Sequence, residues 1–331
     1  MPTLAIDLMS GDRVALERLQ AIAPALRRHA SMSLLLVGDP GLIDGELRSL
    51  PDGERSRIRI IPATDVVAMD DRPRDAIRRR KLSSMRLAID LVQSGDAEAC
   101  VSAGNTGALT AMAHFVLRTL SRIERAAIMS AVPSADGFTY MLDLGANTSA
   151  TAAQLLQFAQ MGSVVARDVY AVANPRVGLL NIGDEDIKGH QVVQDAHKLI
   201  AAAGLNYIGF VEGDDIFGRD VDVVVTDGFT GNVALKAMEG LARFIAEQLR
   251  SEFSRDAGSK LAAMAAMGVL RRFANKLDPR RYNGACMVGL NGIVVKSHGS
   301  ADAAAFGAAM DLAHQAVSRG LMQHVRDALA A

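Results

Sequence analysis

The chain has 331 residues, of which half are hydrophobic, and its formal net charge is −1. A near-neutral chain without tryptophan is a poor candidate for a nucleic-acid-binding protein, because such proteins rely on basic patches and aromatic stacking platforms. The length suffices for one large α/β domain or two smaller ones, and no apolar run reaches the ~18 residues that a membrane span needs.

The predicted elements alternate between strands and helices from the N-terminus onward. Residues 4–8 predict a first strand that ends in a glycine turn, and residues 14–29 have helical spacing. Short apolar runs at 33–37 and 57–61 predict the next two strands. This alternation indicates an α/β protein with a mostly parallel sheet covered by helices on both faces, which is a three-layer α/β/α architecture.

A basic segment follows at residues 70–85. A run of charge is by default a solvated helix face, but it also fits a docking surface for an acidic partner or a phosphate group. Both interpretations stay open at this point. The cations of the segment are Arg72, Arg74, Arg78, Arg79, Arg80 and Lys81.

Two strand–glycine–helix turns are the most informative feature of the sequence. A short strand at 99–101 leads into SAGNTGA at 102–108, and a strand at 221–226 leads into DGFTGN at 227–232. Backbone N–H groups and the helix dipole favour an anion at such a turn. The pair therefore predicts two walls of one anionic-ligand site. Its residues are Gly104, Asn105, Thr106 and Gly107 on one wall, and Asp227, Gly228, Thr230, Gly231 and Asn232 on the other.

Further predicted strands end in polar turns that carry Asn147 and Lys188. In open α/β sheets ligands bind at the carboxyl ends of the strands. We therefore expect Asn105, Asn147, Lys188 and Asn232 to converge there. The acidic residues at 184–186 favour a solvated turn over a Mg²⁺ site because no histidine accompanies them, and no metal is predicted.

The last third of the chain predicts a helical hairpin and a β-hairpin. Helices at 233–253 and 261–277 form the helical hairpin, and the second is apolar nearly all round at its start. Core or dimer packing explains such a helix, and so does a tip lying in a membrane interface. Strands on either side of Asn291-Gly292 predict the β-hairpin. A final helix is expected at 301–329.

The remaining motifs exclude several kinds of catalytic and cofactor site. The chain has no Walker sequence, no dinucleotide-binding glycine pattern and no nucleophile elbow, so no cofactor or protein nucleophile is predicted. Cys100 and Cys286 lie in apolar segments, which favours reduced, buried thiols in the cytoplasm. Lys296 and His298 share a glycine- and serine-rich turn. His298 fits a general base, a phosphate ligand or a structural residue equally well.

Six blocks in conserved order resemble the PlsX family of bacterial phosphate acyltransferases. The resemblance extends from near residue 60 to the last helix, and an ordered set of this kind is specific. The blocks are residues 101–108, 142–147, 174–183, 227–232, 282–286 and 296–300.

The resemblance implies transfer of a fatty acyl group from acyl carrier protein to inorganic phosphate. The product is then acyl phosphate, the donor for the first acylation of glycerol 3-phosphate in phospholipid biosynthesis. It also implies a single 1–331 domain that is Rossmann-like and similar to phosphotransacetylases and isocitrate dehydrogenases, with the 233–277 hairpin protruding. The expected protein is a cytoplasmic homodimer on the membrane surface, with glycerol-3-phosphate acyltransferase as a further partner. The basic segment and residues Arg271, Arg272 and Lys276 then become docking surfaces for the acidic carrier.

Three alternatives remain. A phosphotransacetylase that uses acyl-CoA shares the phosphate nucleophile. A metal-dependent hydroxyacid dehydrogenase needs a metal cluster and a nicotinamide site, neither of which is evident. A non-catalytic anion-binding or scaffold protein predicts phosphate binding without thioester cleavage.

The N-terminal turn departs from the family pattern Asp-x-Met-Gly-Gly-Asp. Ser10 stands where the family has glycine, so this turn must keep φ negative or accept strain. Asp7 and Gly11 are therefore weaker site candidates than the later blocks.

The hypothesis for mechanism is attack of phosphate on the thioester carbonyl. The two helix N-termini, at Gly104–Gly107 and Gly231–Asn232, hold the phosphate and the developing oxyanion. Lys188 offsets phosphate charge, and His298 assists proton transfer to the leaving thiolate. The predicted catalytic residues are Lys188, Asn232 and His298, and Asn147, Asp227 and Lys296 join the two glycine turns in substrate binding.

Overall fold

The computed structural model describes residues 1–13 and 15–330, and the side chains of residues 276, 277, 279, 281 and 330 lie outside that description. The first residue of the helix predicted from 14 and the Lys276 side chain therefore fall outside it. The described residues form one sheet with these strands: β1 Thr3–Asp7, β2 Ser33–Gly38, β3 Ile58–Pro62, β4 Ala99–Ser102, β5 Ala127–Ser134, β6 Gly137–Leu142, β7 Val177–Leu180, β8 Tyr207–Val211, β9 Val223–Val225, β10 Ala285–Val288 and β11 Ile293–Lys296.

The α-helices connect and cover these strands. They are α1 Ala15–Leu19, α2 Ile22–Arg28, α3 Pro40–Leu47, α4 Asp52–Arg55, α5 Pro73–Arg79, α6 Ser84–Ser94, α7 Thr106–Leu117, α8 Ala152–Asp168, α9 Gln191–Ala201, α10 Gly228–Ser254, α11 Ala257–Ala265, α12 Met267–Leu277, α13 Ala303–Ser318 and α14 Leu321–Ala330, with 3₁₀ turns at Asp215–Phe217 and Pro279–Tyr282.

The predicted three-layer architecture is confirmed. One apolar cluster joins the sheet to α1, α2, α3, α8, α9, α13 and α14 on one face, and a second joins it to α5, α6, α7 and the first turns of α10 on the other. Strands buried on both faces read as continuous apolar runs, which explains the strong strand signal in the sequence.

Strand directions divide the sheet into two halves. The order is β3-β2-β1-β4-β11-β10-β5-β6-β9-β7-β8, and seven of the ten pairings are parallel, so the mostly parallel sheet is confirmed. The three antiparallel pairings lie together in the centre, β11–β10, β10–β5 and β5–β6. The strands of β6-β9-β7-β8 therefore run opposite to those of β3-β2-β1-β4-β11.

This reversal corrects the predicted convergence of the polar turns. Asn105 follows β4, whereas Asn147, Lys188 and Asn232 follow β6, β7 and β9 in the opposite half. β4 and β9 are five strands apart, which is about 24 Å at the usual strand spacing. The two glycine turns therefore follow strands of opposite direction in different halves of the sheet, and the single shared edge that the sequence predicted is not formed.

The predicted β-hairpin is confirmed, and its position in the sheet matters for the site. β10 and β11 pair antiparallel in the middle of the sheet, and β11 also pairs parallel with β4. The register sets Lys296 beside Ser102. The hairpin thus brings the Lys296–Ser300 segment to the same edge as the Gly104–Gly107 turn.

Two predicted helices are each divided in two. The helix expected at 261–277 is interrupted between Ala265 and Met267, which gives α11 and α12. The helix expected at 301–329 is interrupted at Gly320, which adopts φ +64° between α13 and α14. Glycine is the residue that takes this conformation most readily, so the break has a local cause.

α10 is the longest helix of the described chain and leaves the body of the protein. Its 27 residues extend about 40 Å, and every residue from 241 to 250 is exposed. Among the described residues, no helix is long and apolar enough to cross a membrane.

Candidate active site

Asp7 organises the end of β1. Its buried carboxylate accepts hydrogen bonds of 2.6 Å from the hydroxyls of Ser84 and Ser102, and longer ones from the backbone N–H groups of Met9 and Ser10. One side chain thus fixes the ends of β1 and β4 and the start of α6 relative to one another. Asp7 therefore has a structural role at this edge of the sheet, and the sequence pattern alone did not predict that role.

The unusual Ser10 is accommodated by its neighbour Gly104. A Cβ atom on Gly104 would lie 2.7 Å from the Ser10 Cβ and 2.3 Å from the terminal methyl of Met85, so only glycine fits there. Ser10 does not adopt positive φ, whereas Gly11 does, at +123°. The family departure therefore introduces no backbone strain at Ser10.

The N-terminus of α7 presents unused donors. The Asn105 side chain caps the helix by accepting from Ala108 N–H at 2.9 Å, and its amide donates to the carbonyl of Met69. Thr106 and Gly107 are exposed, and their N–H groups donate to no acceptor in the part of the chain that the structure describes. Because the cap is uncharged, the helix dipole remains available to an anion.

Lys296 lies at the same edge, at the end of β11. Only 9% of the residue is exposed, and its ammonium donates to the carbonyl of Ser297. No carboxylate within the described residues forms an ion pair with it at 4 Å or less. Burial lowers the pKa of Lys296 to about 8, and the charge of Asp12 only partly opposes this. A buried ammonium with one neutral partner is a strong attractor for an anion.

His298 presents an N–H donor. Its Nδ1 accepts from the Ser300 backbone N–H at 3.2 Å and contacts the Ser300 hydroxyl, so the neutral ring carries its proton on Nε2. Partial burial lowers the pKa of His298; Glu239 opposes the shift, and Lys236 and Lys296 reinforce it. The lowered pKa favours the neutral ring, and the free Nε2–H makes that ring a hydrogen-bond donor.

The turn after β6 is a structural counterpart of the Asp7 anchor. The buried Asp143 carboxylate accepts from the backbone N–H groups of Ile128, Gly145, Ala146 and Asn147. The Asn147 amide donates to Asp143 and to the Ala126 carbonyl. Asn147 is therefore engaged in shaping this turn.

The DGFTGN turn packs against the Asp143–Asn147 turn and presents few free N–H donors. The Asp227 carboxylate accepts from the N–H groups of Phe229 and Thr230 and from the Thr230 hydroxyl. A Cβ on Gly228 or Gly231 would lie 2.2 Å or 2.0 Å from a backbone oxygen of the Asp143–Asn147 turn. An aspartate cap places negative charge at the start of α10, which disfavours an anion there.

Asn232 and Lys188 follow strands in the other half of the sheet from Lys296 and His298. The Asn232 amide donates to the Leu144 carbonyl at 3.2 Å and so ties the first turn of α10 to the end of β6. Lys188 follows β7, is half-exposed, and within the described residues pairs only with Glu185, at 3.9 Å. The pairing of β11 with β4 brings the Lys296–His298 segment beside the turn that carries Gly104, Asn105, Thr106 and Gly107. The other predicted site residues follow strands of the opposite half of the sheet: Asn147, Lys188, Asp227, Gly228, Thr230 and Gly231.

α10 supplies two residues that the sequence interpretation missed. Lys236 and Glu239 form an ion pair at 2.7 Å, and both influence the pKa of His298. They follow Asn232 by four and seven residues, which is one helix face. This spacing was the available signal. α10 thus begins at the DGFTGN turn and carries two charges that act on His298.

The basic segment borders the same edge. A Cβ on Gly107 would lie 3.2 Å from the ring of Pro73, the first residue of α5. Arg80 is tied to Asp65 and Asp71, whereas the other cations of the segment are exposed. The exposed cations are Arg72, Arg74, Arg78, Arg79 and Lys81.

The cysteines are unsuited to nucleophilic catalysis. Cys100 and Cys286 are free and buried, as predicted, and burial raises the pKa of both thiols, that of Cys286 to about 12. Across residues 1–13 and 15–330, no group of three or more histidine, cysteine or acidic side chains is arranged to hold a metal ion.

Comparison with known proteins gives the family and the fold. The family model described as Fatty acid synthesis protein matches residues 2–324. A phosphate acyltransferase of Methylococcus capsulatus is 49% identical over 325 residues, 98% of this chain and 96% of the relative. A phosphate acyltransferase of Alkalilimnicola ehrlichii is 50% identical over 319 residues, 96% of this chain and 93% of the relative.

Solved structures of low sequence identity share the fold. The EutD phosphotransacetylase from Staphylococcus aureus superposes with a TM-score of 0.59 at 15% identity, over 96% of this chain and 94% of that one. A branched-chain phosphotransacylase from Enterococcus faecalis gives 0.58 at 16% identity, over 96% and 99%. The predicted likeness to the phosphotransacetylase fold is therefore confirmed.

Proposed function

The chain belongs to the Fatty acid synthesis protein family, in which its relatives are phosphate acyltransferases, and from this premise we propose that it transfers a fatty acyl group from acyl carrier protein to inorganic phosphate. That it is an acyltransferase acting on phosphate follows from the family. The carrier-bound donor and the use of acyl phosphate in phospholipid biosynthesis are our proposal.

The reaction needs no protein nucleophile. An oxygen of hydrogen phosphate attacks the thioester carbonyl carbon, the C–S bond breaks as the new C–O bond forms, and the phosphate proton ends on the released thiol. The protein must therefore hold a dianion beside a carbonyl and stabilise the oxyanion that develops there. These are tasks for cations and N–H donors.

The edge formed by β1, β4 and β11 supplies that combination. In our proposal Lys296 and the N-terminus of α7, at Thr106 and Gly107, hold the phosphate, and His298 Nε2–H donates to the phosphate or the oxyanion. The observation that carries the assignment is the buried Lys296 ammonium without a carboxylate partner among the described residues. Asn232 takes a positioning role at the base of α10, and the structure gives Lys188 no contact with this edge.

A comparison of thioester donors tests the proposed substrate class. We expect turnover with acyl carrier protein to exceed turnover with acyl-CoA of the same chain length, because an acidic carrier complements the exposed arginines near α7. Equal or greater turnover with acyl-CoA would favour the alternative, a phosphotransacetylase-like enzyme.

Charge reversal at Arg78 and Arg79 tests the carrier-docking surface. We expect Arg78→Glu with Arg79→Glu to raise KM for the carrier about tenfold or more and to leave KM for phosphate unchanged, since opposed charges on the partner become repulsive. Steady-state kinetics at two salt concentrations measure this. The matched control reverses Arg48 and Arg55, exposed arginines on the other face of the sheet. An effect confined to phosphate KM would exclude docking at α5.

The proposal also covers the helices α10, α11 and α12, which protrude from the body of the protein. Exposed apolar residues lie along the outer part of α10 and on α11 and α12, and we propose that they serve a homodimer and a peripheral membrane contact from which acyl phosphate reaches glycerol-3-phosphate acyltransferase. The exposed apolar residues are Leu241, Phe244, Ile245, Leu249, Leu261, Met264, Met267, Val269 and Phe273.

Vesicle flotation tests the membrane contact. We expect Met264→Asp with Met267→Asp to lose most flotation with anionic vesicles, because charged side chains oppose insertion into the interface. Leu199→Asp with Ile208→Asp, two exposed apolar residues near the β8 edge of the sheet, serves as the control that should float like the wild type. Equal flotation of both variants would rule out the α11–α12 tip.

A further inference from the structure

A buried arginine lies behind the edge formed by β1, β4 and β11, and we propose that Arg18 and Ser10 form the inner wall of the phosphate site. In this proposal phosphate oxygens accept hydrogen bonds from the Nη groups of Arg18 and from the Ser10 hydroxyl. The inference rests on the proposed function and adds two phosphate-binding residues to it. Neither residue belongs to the site that the sequence predicted.

The guanidinium of Arg18 is enclosed and mostly without acceptors. Only 1% of the residue is exposed, and Nε donates to the Leu8 carbonyl at 2.8 Å, which fixes the plane of the group. Nη1 and Nη2 donate to no acceptor among the described residues, and no carboxylate in that part of the chain pairs with them within 4 Å. Because a buried cation without acceptors is costly, a ligand that supplies them has a strong advantage at this place.

Arg57 shows how the same chain satisfies an arginine that has a structural role. Its Nη1 and Nη2 donate to four backbone carbonyls at 2.9–3.2 Å, all from the segment between α2 and β2 or the end of α2. Arg18 is more deeply buried than Arg57, yet both of its Nη groups lack such partners within the described residues. This contrast favours a ligand-binding role for Arg18 over a purely structural one.

Measured distances place the guanidinium at the proposed site. A Cβ atom on Gly11 would lie 3.0 Å from Arg18 Nη1. The same point lies 3.2 Å from the Ala103 Cβ and 3.2 Å from the Gly299 carbonyl oxygen, to which the Asp12 N–H donates at 2.9 Å. These neighbours belong to the turns that follow β1 and β4 and to the segment that follows β11. Arg18 Nη1 is therefore close to all three segments of this edge.

Ser10 brings a second donor without a partner to the same place. Its hydroxyl is buried and unpartnered among the described residues, and it lies 3.3 Å from the position of a Cβ on Gly104. Gly11, the next residue, is partly exposed and has no side chain to cover Arg18 Nη1. An anion that approaches over Gly11 thus meets both a guanidinium and a hydroxyl.

The charges of this edge match a dianion. Lys296 and Arg18 are both buried cations, and neither pairs with a carboxylate within the described residues. Hydrogen phosphate carries two negative charges and several acceptor oxygens, so it can offset both cations and accept from several donors at once. A neutral thioester carbonyl offers no charge and a single oxygen. The wall therefore suits the phosphate co-substrate better than the acyl donor.

Phosphate titration of an Arg18→Met variant tests the proposal. We expect both the calorimetric Kd for inorganic phosphate and the phosphate KM to rise about tenfold or more, the scale of a lost charge-assisted contact, with carrier KM unchanged. Without phosphate the variant should melt at a higher temperature than the wild type, because a buried charge without acceptors is removed. The rise in melting temperature that phosphate gives the wild type should be largely lost.

Arg57→Met is the matched control. It removes an arginine whose donors are satisfied by carbonyls, so we expect a lower melting temperature and an unchanged phosphate Kd. A purely structural role for Arg18 would give the same pattern as Arg57→Met and would overturn the inference.

Ser10→Ala provides a second test that keeps the Cβ contact with Gly104. We expect the phosphate Kd to rise about threefold or more, the scale of one neutral hydrogen bond. Thr139→Val is its control, since Thr139 on β6 also has a buried hydroxyl without a partner among the described residues, but in the other half of the sheet. Its phosphate Kd should equal that of the wild type.

The outcomes separate this inference from the proposed function. Variants of Arg18 and Ser10 that bind phosphate as the two controls do would overturn the inference, and acyl phosphate formation by the wild type would leave the proposed function standing. A raised carrier KM with an unchanged phosphate Kd would also overturn it, because the wall would then hold the donor. A wild-type protein that binds phosphate through Arg18 but forms no acyl phosphate would refute the proposed function alone.

Discussion

Replacement of Lys296 by methionine is expected to lower kcat/KM for phosphate about 10²–10³-fold while the folded state becomes more stable. The ammonium is buried beside a neutral carbonyl, so its desolvation opposes folding, and a methionine of similar shape removes that penalty. Activity and stability therefore change in opposite directions, which a general disruption of the fold cannot produce. Steady-state kinetics and denaturant unfolding of the same preparations measure both.

In the wild type, stability and activity should also change in opposite directions as the pH rises. The pKa of Lys296 is about 8 in the folded state against 10.5 as the ordinary value. The unfolded state then binds more protons between pH 8 and 10.5, so stability attributable to Lys296 rises across that interval, by about 3 kcal/mol. Phosphate kcat/KM should fall over the same interval as the cation is lost.

The control for both measurements is Lys198→Met, a lysine on α9 with a largely exposed side chain. It should match the wild type in kinetics and in the pH dependence of unfolding. A Lys296→Met protein that retains wild-type phosphate kinetics would remove Lys296 from the reaction, and with it the choice of the β1–β4–β11 edge.

Replacement of Gly231 by alanine is expected to destabilise the protein by roughly 3 kcal/mol or more, because overpacking against an unyielding backbone is among the costlier substitutions. The new Cβ would lie 2.0 Å from the Asp143 carbonyl oxygen and 3.0 Å from the Thr226 methyl, so α10 must shift as a whole. Loss of activity should accompany this shift, since α10 begins with Asn232, the proposed positioning residue.

Gly240→Ala gives the matched control on the same helix. No atom lies within 4 Å of a Cβ placed there, and the residue is exposed. Alanine should therefore stabilise the protein by roughly 0.5–1 kcal/mol through helix propensity alone. Urea unfolding measures the change in the free energy of unfolding for both variants, and we expect the two changes to have opposite signs. A Gly231→Ala protein that is as stable as the wild type yet inactive would mean that this turn contacts substrate, against the packing role assigned to it.

The sequence predicted the elements better than their directions. Apolar runs ending in glycine turns identified most strands, and Asn291-Gly292 identified the hairpin, because these signals are local. The place of that hairpin in the centre of the sheet depends on pairings between distant segments. It reverses half of the strands, and so the two glycine turns, which look alike in sequence, come to lie at different edges.

The two turns are nonetheless related in the structure. Asp7-Leu8 ends β1 beside β4, and Asp143-Leu144 follows β6 beside β9, so each glycine turn lies next to a buried aspartate anchor. The two turns differ in the residue that caps the following helix. Asn105 leaves the dipole of α7 exposed, whereas Asp227 neutralises that of α10. Motif similarity alone could not separate a ligand turn from a packing turn.

The site residues found only in the structure share one cause. Lys236 and Glu239 lie on α10, and their effect on the pKa of His298 joins two segments that are some sixty residues apart in the chain. Within α10 itself they form an ordinary i,i+3 ion pair. A polar face on a helix is in most proteins only a solvated surface.

In the proposed reaction a phosphate oxygen takes the acyl group from a carrier-bound thioester. Mass spectrometry of a reaction with acyl carrier protein as donor and phosphate labelled with ¹⁸O at all four oxygens tests it most directly. We expect acyl phosphate that retains all four labelled oxygens, together with the free carrier thiol. Release of unlabelled fatty acid without acyl phosphate would contradict it, because water and not phosphate would then be the nucleophile.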